Sequence, residues 1–271
     1  MKHDLIEFNC TKSTPSKKIN KSVVFLINLL LLVLSLPAFS QSVFDLNMSP
    51  IYIHAETVDD IREFNLDSIP PYIYTHIPDL TNLDVQTRKK KFIQLILPAI
   101  LFEKSKIKTA LNNIDNTLLP ELYSYCNCSS KEKLEPCLSS QPNSIILAQA
   151  AIESGWGTSR FFSEGLNLFG VHSFNKNDTR IQAKGGDTSK PIYVKKYDNI
   201  SASISDYLRT LAKSYAYEDY RNHRAQSDSA LFLIQYLYNY SERRQAYIDD
   251  LERIIKYNNF IEYDLIKIDW Q

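Results

Sequence analysis

The sequence predicts an α+β fold, mostly helical, with one small β-hairpin lobe. Three observations predict it. Apolar residues recur at helical spacing through most of the chain beyond Asp84. One stretch, DTRIQAKGGDTSKPIYVKKYD at 178–198, switches to strand-like residues around a Gly-Gly-Asp turn. Six glycines against seventeen tyrosines favour helices carrying many amphipathic ring surfaces over a loop-rich fold.

The composition sets outer limits. With 271 residues, 44% hydrophobic and 23% charged, the chain can build one sizeable core or two small ones. Lysine plus arginine equals aspartate plus glutamate at 31 each. That balance gives no electrostatic reason to expect a nucleic-acid or acidic-membrane partner.

The first element is not part of the fold. Lys2, Lys12, Lys17, Lys18 and Lys21 precede an apolar run from Ser22 to Leu36, broken only by Asn28, and PAFSQS follows. A basic front, a short apolar core and small residues after it read as a secretory signal, with cleavage expected after Ser40. The alternative is an uncleaved anchor, but the run is short for a span of about 20 residues. Either way the folded part lies outside the cytoplasm, and membrane contact is confined to residues 22–36. The expected division is 1–40 as signal or anchor, 41–84 as an extended N-terminal segment, and 85–271 as the folded domain.

In residues 41–84 the paired prolines of IPPYIYTHIPDL suggest an extended wrapping segment with a single short strand. A helix should follow from Asp84, with Phe92, Leu95, Ile96, Ala99, Ile100 and Glu103 on its spacing. Pro98 should kink or divide it. Lys89 to Lys91 read as a solvated helix start. Cys126, Cys128 and Cys137 cluster in YCNCSSKEKLEPCL. In an exported chain this predicts one disulfide, from Cys137 to Cys126 or Cys128, with one thiol left over. A zinc site would need a fourth ligand, and no histidine is near.

PNSIILAQAAIES then opens a helix with Asn143 or Ser144 as N-cap. Apolar residues surround it on nearly every face, so it should be buried. Glu153 is the acid on it. Low dielectric and a helix C-terminus both favour the protonated carboxyl. Gly155 or Gly157 should stop the helix and turn the chain. A proton-loaded carboxylic acid at a cleft edge has the profile of a general acid. Beyond the hairpin, helical pattern returns at SASISDYLRTLAKSYAY, SDSALFLIQYLYNY and RRQAYIDDLERIIKYNN.

AQAAIESGWGTSRF followed by LNLFGV resembles the glucosaminidase domain of glycoside hydrolase family 73, peptidoglycan hydrolases that cut β-1,4 bonds after N-acetylglucosamine. KKKFIQLILPAI, YDNISASISDYLRTL and YAYEDYR extend the resemblance, over roughly residues 85–245, to the Bax-type envelope proteins of that family. The resemblance implies a lysozyme-like fold and a peptidoglycan substrate. The signal gives a periplasmic or envelope location. The sequence shows neither a phosphate loop nor HExxH, so no nucleotide or metal is implied; no cofactor is needed, and a monomer is expected. The resemblance implies that Glu153 is the catalytic acid. It places Phe169 of the Asn167–Gly170 turn on the groove and Tyr217 beside the reacting sugar. Gln149, Trp156, Asn167 and Tyr207 are further candidates to hold substrate.

A glycosidase usually needs a second carboxylate. Some relatives place a glutamate on the hairpin, but here the hairpin acids are Asp178, Asp187 and Asp198. Asp187 at the tip is the candidate, although aspartate after Gly-Gly is also ordinary turn chemistry. Assistance from the substrate's own N-acetyl group is the other route. A catalytically silent wall-binding protein is the alternative function. Lytic transglycosylases fit less well, since NLFG stands where a GLMQ-like segment would be. His172 and His223 read as surface or structural residues. The segment 41–84 could cover the groove and restrain the enzyme.

Overall fold

The computed structural model describes Phe44 and residues 49–184 and 191–266. The predicted secretory segment and Asp187 lie outside the described residues. Two strands open the described chain: β1, Ile51–His54, and β2, Tyr72–His76. They pair in parallel, Ile51 against Tyr72 and His54 against His76, with a register shift between Ile53 and His54. The segment thus holds two strands, not the single one expected. It also does more than wrap. Ala55, Ile61, Ile69, Ile73, Tyr74, Ile77 and Leu80 are buried in the main core.

Helix α1, Val85–Asn112, starts where Asp84 accepts hydrogen bonds from the amides of Gln86 and Thr87. Pro98 does not divide it: the 28 residues are one continuous helix. Residues 94–103 are buried all round, against β2, α4 (Asn143–Ser154) and α6 (Ile200–Lys213). A proline inside a helix costs about 3 kcal/mol, and burial of nearly three turns of mostly apolar side chain outweighs that. Glu103 is buried in this stretch and is satisfied by Lys106 and the Ser201 hydroxyl. The lysine run is used more than expected. Lys89 lies over the rings of Trp156 and Tyr257 and donates to Asn258, and Lys91 donates to the Ile61 carbonyl. Only Lys90, paired with Glu63 at the surface, matches a solvated helix start.

Helices α2, Leu119–Cys126, and α3, Leu134–Leu138, form a small satellite core stapled by a disulfide between Cys126 and Cys137. Cys128 keeps its thiol. Helix α4 is buried on nearly every face, as its composition predicts. Its N-cap is Pro142, not Asn143 or Ser144. Both of those lie in the first turn, and a distant residue does the capping: Asp264 accepts from the Ser144 amide at 2.8 Å and from its hydroxyl at 2.7 Å. Asn143 donates to the Tyr263 carbonyl.

After the short α5, Arg160–Gly165, the hairpin of β3, Arg180–Gln182, and β4, Tyr193–Lys195, pairs antiparallel with Ile181 opposite Val194. Asp206 on α6 holds its stalk by accepting from Lys195 and from the Tyr197 hydroxyl, each at 2.7 Å. Burial works to raise the Asp206 carboxyl, but these two donors outweigh it and hold it below its ordinary value. Helices α7, Glu218–Arg224, α8, Ala230–Leu233, and α9, Gln245–Tyr257, complete a mostly helical α+β fold. Among the described residues no helix is long and apolar enough to cross a membrane.

Three substitutions test this packing. Gly157 has φ +83°, and a Cβ there would meet Leu80 at 2.9 Å and Phe92 at 3.2 Å. Gly157→Ala should therefore destabilise by about 1–3 kcal/mol in chemical denaturation, from overpacking and backbone strain. Cys137→Ser should cost about 2–4 kcal/mol while Cys128→Ser leaves stability unchanged. Equal losses would contradict the observed pairing.

Candidate active site

The end of α4 fixes the site. The amides of Gly155 and Trp156 return to the carbonyls of Ile152 and Ala151. Gly155, Trp156 and Gly157 all take positive φ, at +58°, +58° and +83°. Three left-handed residues in succession reverse the chain one residue after Glu153. Trp156 is the unusual one, because a side chain there is strained. Its ring is anchored by Phe92 at 5.6 Å, Phe260 at 5.9 Å and the Lys89 ammonium at 4.9 Å. The turn thereby sends Trp156 back toward α1, into packing, and it does not line the cavity at Glu153.

That cavity, about 510 Å³, has Glu153 in its wall. Phe169, Tyr207, Tyr217 and Tyr240 supply aromatic surface, and Glu242 and Arg243 supply charge. The volume is in the range of small-molecule sites. Phe169 stacks on Tyr207 with centroids 4.0 Å apart and planes within 12°. Tyr240 stacks on Tyr247 at 5.5 Å and meets Tyr217 at 6.1 Å. None of the lining residues comes from residues 49–84.

The structure brings Glu153, Phe169, Tyr207 and Tyr217 together on this cavity and places the other sequence candidates behind it. Asn167 is buried and shapes the turn before Phe169. Its amide group donates to the Val171 and Lys195 carbonyls, and its oxygen accepts from the Val171 amide. Gln149 is fully buried one turn behind Glu153. It belongs to a hydrogen-bond chain that runs in one direction. Gln141 donates to the Tyr207 oxygen, and the Tyr207 hydroxyl donates to Gln149 Oε1 at 2.5 Å. Gln149 Nε2 donates to the Tyr247 oxygen at 3.3 Å, and the Tyr247 hydroxyl bonds the Glu153 carboxyl.

Burial pushes the Glu153 carboxyl above the ordinary glutamate range. The Tyr247 hydrogen bond and the Arg243 guanidinium pull the other way without cancelling it. A carboxylate at a helix C-terminus is disfavoured in the same direction as burial. The Tyr217 hydroxyl is raised by burial and then by the Glu153 charge, which places the two in electrostatic reach. Next to Glu242 and Arg243, Arg244 holds φ +52° and ψ −119°, a conformation costing a non-glycine residue about 1–3 kcal/mol. Strain of this kind concentrates at functional sites. Of the hairpin acids, Asp178 accepts from the Ser173 hydroxyl. Tyr240, Glu242, Arg243 and Tyr247 were not among the sequence candidates. The tyrosine-rich run NYSERRQAYIDD around a polar turn was the available sign.

A helical α+β domain with a partly buried, proton-favouring glutamate on an aromatic cavity is an arrangement suited to breaking glycosidic bonds. Residues 134–260 match the glucosaminidase family model, described as mannosyl-glycoprotein endo-beta-N-acetylglucosaminidase. Over those residues, somewhat under half of the chain, the sequence is that of a glucosaminidase domain. It is 34% identical over 115 residues to "Protein bax" of Escherichia coli strain K12. That match spans 39% of this chain and 39% of the relative, well under two thirds of its length. Among solved structures, the catalytic domain of the autolysin Auto from Listeria monocytogenes is similar at 20% identity and TM-score 0.39, over 58% of this chain and 94% of that one. A peptidoglycan hydrolase from Sphingomonas sp. A1 is similar at 21% identity and TM-score 0.38, over 52% and 87%.

The raised carboxyl has a stability consequence with a definite sign. Between the ordinary glutamate pKa and the raised folded value, the folded state binds more protons than the unfolded state. The stability linked to Glu153 is thus fully present at low pH and is lost as pH rises through the folded pKa. Glu153→Gln should therefore melt higher than wild type at neutral pH, and the gain should shrink as pH falls toward 4. Melting curves across pH check this; a Glu153→Gln protein less stable at every pH would contradict it.

Proposed function

We propose that this chain is an exported endo-β-N-acetylglucosaminidase that hydrolyses β-1,4 bonds in peptidoglycan glycan strands. The observation that carries the reading is the Glu153 carboxyl, burial-raised and set in the wall of an aromatic cavity. A glycosidic bond breaks when its leaving oxygen takes a proton, and an acid with a raised pKa keeps one to give at higher pH than an ordinary glutamate does. Glu153 holds that proton. Phe169, Tyr217 and Tyr240 offer flat apolar surface to the faces of a sugar ring. Tyr217 lies beside the reacting sugar.

The acid's partner has two candidates. Glu242 lines the same cavity as Glu153 and is exposed, an environment complementary to that of the partly buried acid. Asp187, which lies outside the described residues, is the other. Each would direct water onto the sugar, and the substrate's N-acetyl group would serve if neither does. The basic, apolar and small-residue order of residues 1–40 supports export to the periplasm or envelope.

Digesting purified peptidoglycan and reading the soluble fragments by mass spectrometry tests the reading. Fragments ending in reducing N-acetylglucosamine are expected, with a loss of about 10²-fold or more in Glu153→Gln. Reducing N-acetylmuramic acid would move the cut to the other bond. Anhydro ends would make the chain a lytic transglycosylase, and no release by a folded wild type would make it a wall-binding protein. A comparable loss in Glu242→Gln but not Asp187→Asn would assign the partner, and the reverse result would return it to the hairpin. Activity should fall as pH rises through the Glu153 pKa. Since the Tyr247 hydrogen bond lowers that pKa, Tyr247→Phe should shift this falling limb to higher pH.

A further inference from the structure

We propose that His54, Glu56 and His76 form a binding site for a divalent transition-metal ion of zinc-like chemistry. The two histidines are paired across the parallel strands β1 and β2, just past the register shift at Ile53 and His54. Their rings are stacked, with centroids 4.6 Å apart and planes within 16°. Glu56 Oε1 lies 2.8 Å from His54 Nε2. One donor atom from each of the three residues lies within 4.8 Å of the other two. In a tetrahedral site with metal–donor bonds near 2.0–2.2 Å, donor atoms sit about 3.4 Å apart. The three side chains are therefore within a rotamer-scale adjustment of a coordinating arrangement.

The backbone beneath them is fixed independently of any ion. The Ala55 amide donates to the His76 carbonyl at 3.3 Å. Directly after, one Asp60 oxygen accepts from the amides of Glu56 and Thr57 and from the Thr57 hydroxyl. Asp60 is thus consumed by the turn, whereas the Glu56 carboxylate is turned to His54. The His54 and Glu56 side chains are 60% and 72% exposed, so neither fills core and an ion can reach both.

The donor set indicates the kind of ion. Two imidazoles and one carboxylate are a known zinc ligand trio, and three protein ligands leave a fourth position for water or another donor. Imidazole nitrogen disfavours calcium and magnesium, which take oxygen ligands. Nickel and copper would compete, in the order common to nitrogen and oxygen sites. Bound there, the ion would tie β1 to β2 and close the segment between them.

Calorimetric titration of the tag-free protein with zinc chloride tests the assignment, with His172→Gln as the control. His172 sits against Phe174, on another part of the fold. The expected result is one saturable zinc per chain, weakened at least tenfold in His54→Gln, in His76→Gln and in Glu56→Gln, and unchanged in the control. Saturating zinc should also raise the melting temperature of the wild type by several degrees but not that of His54→Gln. His54 and Glu56 are exposed, so their variants should fold as wild type does, and circular dichroism verifies it. No saturable binding by the wild type would overturn the proposal. So would binding that survives His54→Gln and Glu56→Gln, or that disappears instead when Cys128 is blocked.

Discussion

Partly burying one carboxyl on a largely apolar helix is the constraint on which the site depends. Helix α4 is packed by α1, by α9 and by the C-terminal turn at 260–265. Burial this complete leaves no face on which a charged group could be hydrated at low cost. Glu153 escapes part of that cost because it stands at the last turn, where the chain reverses and a cavity opens. The remainder appears as a raised pKa. The same geometry that makes the group expensive to ionise makes it useful as an acid.

What surrounds the acid is ordered by hydrogen bonds of one polarity. From Gln141 through Tyr207, Gln149 and Tyr247, each donor points toward Glu153. Aligned bonds in a low-dielectric interior polarise one another. The chain joins the loop before α4, helix α6, α4 itself and helix α9. It therefore ties the position of Glu153 to the packing of distant elements. The tyrosines serve two purposes in this arrangement: their rings pack in pairs, and their hydroxyls carry the chain. Seventeen tyrosines in a chain with six glycines are consistent with that double use.

The features legible in the sequence were those set by nearby residues. The apolar surround of α4, the stop at Gly155, the strands on either side of the hairpin turn and the start of α1 after Asp84 all have local causes. The unread features have distant ones. Ser144 looked like a cap because it is a small polar residue before an apolar run, but Asp264, 120 residues away, supplies the oxygen. Pro98 looked like a break because propensity says so, but burial on every side of α1 overrode it. Trp156 looked like a groove ring because it follows the acid, but three positive φ angles turn it away. Tyr247 and Glu242 lie about 90 residues beyond Glu153, and no local pattern joins them to it. The pair of histidines at 54 and 76 is hidden for the same reason, since only strand pairing brings them together.

The central claim is that burial holds Glu153 protonated where an ordinary glutamate has ionised. Carbon-13 NMR of the side-chain carboxyl, assigned by comparison with Glu153→Gln and followed from pH 3 to 9, measures this without any substrate. The account predicts a titration midpoint clearly above the ordinary glutamate value of about 4.3. A midpoint at or below that value would mean that Tyr247 and Arg243 outweigh burial, and the role of Glu153 as a proton-loaded acid would fail.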